Sequence, residues 1–183
     1  MTQERDVLEL DVLFVGGGIA SLSGALHLSN LVKAHNAKGE GKKLDELMIA
    51  VIDKGASAGA HGISGAVMNP RPLKELVPDY AEKDAPLEGE VTKESIYLLT
   101  KKGQIKTPIT PPPLNNHGNY VVSMSRLNQW MAGLVEENGV DIFWGFPGVE
   151  MLYDESRVVG VRTGDKGVNA KGEKKSNYEP GAD

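Results

Sequence analysis

Gly16, Gly17 and Gly18 stand in a row and are followed by Ile19, Ala20 and Ser21. A glycine at Gly16 permits a tight turn, and one at Gly18 lets backbone come close to a pyrophosphate. A helix opening here aims its free N–H groups, and the positive end of its dipole, at phosphate charge. The dinucleotide fingerprint has Gly or Ala at its third small position, where this chain has Ser21. Serine is small enough to keep helix and strand close. Asp53 is the second residue with chemistry to offer, since a carboxylate closing the next strand accepts from ribose hydroxyls. It lies 35 residues beyond Gly18, against a usual spacing of about 20. The polar stretch from Lys33 to Glu46, taken as an insertion between helix and strand, accounts for the excess.

The fingerprint alone leaves FAD and NAD open. A second run of small residues, Gly59-Ala60-His61-Gly62-Ile63-Ser64-Gly65-Ala66-Val67, follows soon after the acid. Such a run can lie flat along a diphosphate and a flavin ring with its N–H groups as donors, which favours FAD over NAD. A nicotinamide-binding chain would continue here with a plain helix. The candidate cofactor contacts are Gly16, Gly18, Ile19, Ala20, Ser21, Asp53, Lys54, Gly59, His61, Ser64, Gly65 and Ala66. His117 sits among turn formers, where a hydrogen-bonding role competes with a contact to a redox group. His27 and His35 suggest no partner. No spacing marks metal ligands, a nucleophile or a general base.

The elements that must position these residues can be read from the apolar pattern. Apolar residues crowd Val7 to Val15 and stop at the glycines; Leu22, Ala25, Leu26, Leu28, Leu31 and Val32 then recur at helical spacing. Leu47 to Ile52 forms a second short apolar run ending in Asp53. Strand, glycine turn, helix and strand make a βαβ unit with parallel strands, and near-continuous apolar runs suit strands covered on both faces. Glu94–Thr100 and Gln104–Thr107 are expected as strands joined at Lys102-Gly103, and Asn119–Ser123 as another. Ser125 is expected to cap a helix carrying Leu127, Trp130, Met131 and Leu134, which Gly139 ends. Strands at Val140–Trp144, Val149–Tyr153 and Arg157–Thr163 follow. After Gly164 the chain is polar, and burial of apolar surface cannot order it.

Bulk composition excludes several functions. With a net charge of −5 and a pI of about 5.4 the chain lacks the basic footprint of a nucleic-acid binder. It has no cysteine, which rules out disulfides, a thiolate nucleophile and a cysteine-held iron–sulfur cluster within it. No run approaches the roughly 18 apolar residues of a membrane span, and the first residues suggest neither a signal nor a transit peptide. The stiff segment Pro108–Leu114 fits a rigid surface connection, or a contact with a membrane surface, equally well.

Several stretches resemble the electron transfer flavoprotein-ubiquinone oxidoreductase family: DVLFVGGGIASLSGAL, VIDKGASAGAHGISGAVMNPRPLKELVPDY, APLEGEVTKESIYLLTKKGQIKTP, NNHGNYVVSMSRLNQWM and GVDIFWGFPGVEMLYDESRVVGVRTGDKGV. The family usually has Pro and Gly where this chain has Ile19 and Ser21. The resemblance implies the FAD-binding part of a longer flavoenzyme. Such an enzyme takes electrons from reduced electron transfer flavoprotein and passes them to ubiquinone at a peripheral membrane surface. That surface is the cytoplasmic face of a bacterial inner membrane, or the mitochondrial inner membrane. It implies Gly16, Gly18 and Asp53 as FAD contacts, and a 4Fe-4S cluster whose ligands lie outside this chain. It also implies that the 183 residues alone reduce no quinone. Two alternatives are another flavoenzyme of the geranylgeranyl-reductase-like type and a non-catalytic dinucleotide-binding module.

The expected fold is α/β, a Rossmann-like FAD-binding βαβ core with a parallel sheet and the start of a second, strand-rich subdomain. The expected divisions are 1–72 for the core, 73–123 for a strand-rich segment with the proline loop, 124–163 for a return to the core, and 164–183 for a poorly ordered tail.

Overall fold

The structure is a computed structural model that describes residues 5–39, 41–44, 47–169 and 171–183. Along the chain come β1 (Val12–Val15), α1 (Ile19–Lys38), β2 (Ile49–Asp53), β3 (Gly65–Met68), α2 (Arg71–Leu76) and β4 (Leu87–Glu90). Next are β5 (Tyr97–Thr100), β6 (Gly103–Lys106), a 3-10 turn over Pro112–Leu114, β7 (Tyr120–Ser123) and α3 (Met124–Glu137). The chain continues through β8 (Asp141–Trp144), β9 (Gly148–Asp154), β10 (Arg157–Thr163), β11 (Lys166–Val168) and β12 (Lys174–Glu179). It divides into two compact units, Met1–Gly62 with Asn128–Asp183, and Ile63–Leu127.

The first unit is built on a parallel sheet ordered β1-β2-β8, with Val15 opposite Ile52 and Asp53 opposite Trp144. Parallel neighbours need a crossover, and α1 supplies it between β1 and β2. Its buried residues are Leu22, Ala25, Leu26 and Ser29, the i, i+3, i+4, i+7 stripe of a helix lying on a core. β2 is buried from Ile49 to Ile52, as its unbroken apolar run requires. Met131, Val135 and Val140 are buried with them. Burying each such side chain stabilises by about 1.5–3 kcal/mol. Ser29 Oγ donates to the Asn138 carbonyl at 3.2 Å, which ties α1 to the residue that follows α3.

Both long helices end on glycines with left-handed backbone. Gly39 (φ +67) follows α1. Gly139 (φ +84) follows α3, where its N–H donates to Glu136 and that of Val140 to Val135. These paired bonds close the last carbonyls of α3. At its start the capping hydroxyl belongs to Ser123, which accepts from the Arg126 N–H at 3.4 Å; the cap expected at Ser125 lies one turn position inside the helix. α1 runs on to Lys38, so much of the polar stretch from Lys33 is helix. The long interval between Gly18 and Asp53 is an extended helix more than a loop insertion.

The tail departs from expectation. β11 and β12 pair antiparallel, Thr163 N–H donates to Ala182 C=O, and Asp183 receives Arg5 and Arg162. Order comes here from a backbone ladder and charge-assisted hydrogen bonds, which an apolar count does not register. The Arg162 guanidinium, with help from Arg5, holds the Asp183 carboxyl down at about 2.

The second unit has an antiparallel sheet ordered β3-β7-β4, with Ala66 opposite Val122 and a bulge in β4 between Leu87 and Gly89. It begins at Ile63, so residues 63–72 belong with the strand-rich segment and not with the core. α2 opens on Arg71-Pro72, where a missing N–H costs nothing. β5 and β6 form a hairpin exposed along its whole length.

Candidate cofactor-binding site

The glycine turn joins β1 to α1 at the carboxyl end of the parallel sheet. Gly16 N–H donates to the Ile52 carbonyl at 2.8 Å and completes the ladder, and its φ of +103 is open to glycine at no steric cost. A Cβ at Gly18 meets nothing within 4 Å, so space lies in front of the turn. The first intrahelical bond runs from Leu22 N–H to Gly18 C=O, which leaves the N–H groups of Ile19, Ala20 and Ser21 ahead of it. No side chain caps this end, and its first turn holds no acid to neutralise the dipole. This is the electrostatics of an anion site.

Asp53 closes β2 and braces the turn. Its Oδ2 accepts from Gly17 N–H at 2.7 Å, and its Oδ1 from Gly55 N–H at 2.5 Å. A carboxylate has about four acceptor positions, so capacity is left for hydroxyl donors. Beyond Asp53 the chain folds back in two tight turns, Ala60 N–H to Ser57 C=O and Gly62 N–H to Gly59 C=O. Gly17, Gly18, Asp53, Ser57, Gly59, Ala60, His61, Gly62, Asn128 and Trp144 line a cleft of about 210 Å³.

The structure thus brings Gly18, Asp53, Gly59 and His61 to one cleft, with Gly16, Ile19, Ala20 and Ser21 at the adjoining turn. Lys54 is exposed and does not line it. The small-residue run is not one continuous loop. Gly59–Gly62 belongs to the first unit. In the second, Ser64 accepts from Met124 N–H, and Gly65 and Ala66 pair with β7 opposite Ser123 and Val122. His117 also lies in the second unit, with Nε2 3.7 Å from Glu94. Among the described residues no group of three His, Asp or Glu could hold a metal ion.

Three cleft residues, Ser57, Asn128 and Trp144, escaped the sequence reading. Trp144 was recognised as a strand residue, but only the pairing of β8 with β2 sets it beside Asp53. A Cβ at Gly17 would come within 2.5 Å of the indole and 3.1 Å of Asp53 Cβ, so the middle glycine is demanded by this neighbour. Asn128 sits on α3, and its Oδ1 is covered yet has no hydrogen-bond partner among the described residues. The periodicity of α3 marked only the apolar face.

No protein-family model matches the chain. It is 40% identical over 180 residues to the mitochondrial electron transfer flavoprotein-ubiquinone oxidoreductase of Arabidopsis thaliana, covering 98% of this chain and 27% of that protein. The corresponding protein of Homo sapiens is 39% identical over 183 residues, covering 99% and 28%. The chain therefore spans little more than a quarter of the length of these curated relatives, which are named as oxidoreductases. Among solved structures, CtdE in complex with FAD superposes with a TM-score of 0.54 at 16% identity, covering 88% of this chain and 35% of that one. The myxobacterial chondrochloren halogenase, an FAD-dependent halogenase, gives 0.53 at 18% identity, covering 92% and 34%. The fold is that of FAD-binding flavoenzymes, as the α/β pattern predicted.

Proposed function

We propose that this chain supplies the FAD-binding part of an oxidoreductase that passes electrons from reduced electron transfer flavoprotein to ubiquinone. The observation that carries the reading is the near-complete alignment with the Arabidopsis thaliana and Homo sapiens relatives, 98–99% of this chain at about 40% identity. The residues present suit the cofactor: open space before Gly18, an uncapped helix start and a carboxylate at the end of β2. FAD, when bound, supplies the redox chemistry. This chain's part is binding and orientation. Gly16 and Gly18 admit the diphosphate, Ile19, Ala20 and Ser21 turn N–H donors toward it, and Asp53 accepts from ribose.

Gly59 and His61 stand along the same cleft, and Ser64, Gly65 and Ala66 are further candidate contacts carried by the second unit. The chain has no cysteine and so offers no thiolate ligand to a 4Fe-4S cluster. Electron transfer flavoprotein and ubiquinone are the partners that the relatives' names suggest for the longer enzyme. Among the described residues no helix is long and apolar enough to cross a membrane. Contact with a membrane surface falls to the second unit, where Leu98, Leu99, Ile105, Ile109 and Leu114 are exposed.

The test is the visible spectrum of the purified chain after FAD is added and washed out. Retained flavin bands near one per chain are expected, along with their loss in Gly17→Ala, whose new methyl group collides with Trp144. Overpacking of this kind costs roughly 1–3 kcal/mol. A wild-type chain that keeps no flavin, and is not stabilised by FAD in excess, would count against the reading.

A further inference from the structure

The described methionines differ widely in what surrounds their sulfur. Met131 is 2% exposed in the core of the first unit, Met68 and Met124 are half-buried, and Met48, at 47%, lines an apolar groove with Leu8 and Leu10. Met151 on β9 is the most exposed of them at 60%. Side chains two residues apart on a strand leave it on the same side, and Tyr153, also 60% exposed, stands at that spacing. Its Oη donates to Met151 Sδ at 3.6 Å. A thioether sulfur is a weak acceptor with two lone pairs, and this donor occupies one of them. With the side chain this exposed, the other is left to solvent.

We infer that Met151 is a site of reversible oxidation by hydrogen peroxide, and that Tyr153 decides which of the two sulfoxide epimers forms. The free lone pair of Sδ attacks one peroxide oxygen, the O–O bond breaks, and the departing hydroxide takes the proton carried by the transferred oxygen. Sulfur is oxidised by two electrons, and the rest of the peroxide leaves as water. Attack through the lone pair that faces Tyr153 must first give up the hydrogen bond, whereas attack through the other keeps it. One neutral hydrogen bond is worth roughly 2–12-fold in such a competition, and one epimer exceeds the other by that ratio. Each epimer is reduced by its own class of methionine sulfoxide reductase, which takes two electrons from thiols and releases water. The choice of epimer is thus the choice of the enzyme that restores Met151. Oxidation also sets a polar oxygen in the middle of the exposed row Val149, Met151 and Tyr153, so an apolar strip of surface becomes a polar one.

The experiment treats the purified chain with dilute hydrogen peroxide and follows each methionine peptide by mass spectrometry. Met151 is expected to gain an oxygen first, Met48 after it and Met131 last. The epimers are then counted by exposing the oxidised Met151 peptide to each reductase class in turn. Wild type should give an imbalance of roughly 2–12-fold. Tyr153→Phe keeps the ring and removes the donor, and its epimers should come close to parity, a change that loss of packing alone does not produce. Oxidation of Met48 or Met131 ahead of Met151 would show that the Met151 sulfur is covered in solution and would overturn the site. Equal epimers in wild type, or the same imbalance in Tyr153→Phe, would overturn the role of Tyr153.

Discussion

The cleft at the end of the parallel sheet and the β5–β6 hairpin make opposite use of their residues. Around the cleft, each residue answers to a neighbour: Gly17 to Trp144, Gly16 to a left-handed φ, Asp53 to two backbone N–H groups. The helix behind it is anchored by Leu22 and Ala25, both fully buried. The hairpin is held by its own ladder and by Thr100 Oγ1 donating to the Gly103 carbonyl, while Leu98 is 62% exposed and Leu99 75%. An isolated two-stranded hairpin is marginal in water, so those leucines are not there for the stability of their own unit. Apolar residues in one region hold the cleft in shape; in the other they are the surface.

Stability should separate the two regions most sharply. Leu22→Ala is expected to cost about 2–5 kcal/mol, because a buried leucine leaves a cavity. Leu99→Ala should stay within roughly 0.5 kcal/mol of wild type, as exposed substitutions do. Urea unfolding of both variants decides it. Equal losses would mean that the hairpin leucine is buried in solution and that the contrast is false.

A membrane role for the second unit predicts a moderate effect of the opposite kind. Ile109→Ser with Leu114→Ser removes apolar surface beside the proline segment, where the two residues are 75% and 52% exposed. Co-sedimentation of the chain with liposomes should fall while the urea midpoint holds. Unchanged co-sedimentation would remove the membrane reading and leave a rigid connection.

The smallest effect concerns the far end of the first unit. The Asp183 carboxyl is depressed from 3.8 to about 2, chiefly by the Arg162 guanidinium and further by Arg5. A group with a lowered folded-state value stabilises above its unfolded value. Its contribution is therefore full above about 4 and is lost as the pH falls toward 2. Asp183→Asn should flatten the acid side of the stability curve over that window and leave FAD retention at neutral pH unchanged. A variant as acid-sensitive as wild type would show that the ion pairs do not form in solution.

The glycine turn and Asp53 were legible because their demands are local. A left-handed turn, an open helix start and a carboxylate ending an apolar run are each written in neighbouring residues. α1 was found for the same reason, although its polar C-terminal residues from Lys33 to Lys38 were taken as part of an insertion between helix and strand. Burial marks only the stripe at Leu22, Ala25, Leu26 and Ser29, and the solvent side of a helix carries no apolar signal. β4 and α2 were missed in a stretch where the second unit buries only Leu73, Val77, Val122 and Leu127. So small a core writes little periodicity into the chain.

Local sequence by itself therefore determined the βαβ core, the glycine turn, the acid that braces it and the α/β class. Tertiary structure alone decided that Trp144 and Asn128 share the cleft with Asp53, that the small-residue run is divided between two units, and that the polar tail is ordered. The reason is physical: these outcomes depend on strand pairing and charge-assisted contacts between residues far apart in the chain, such as Arg5 with Asp183, 178 positions away. A local pattern records the conformation of a segment, not the segment that will come to lie beside it.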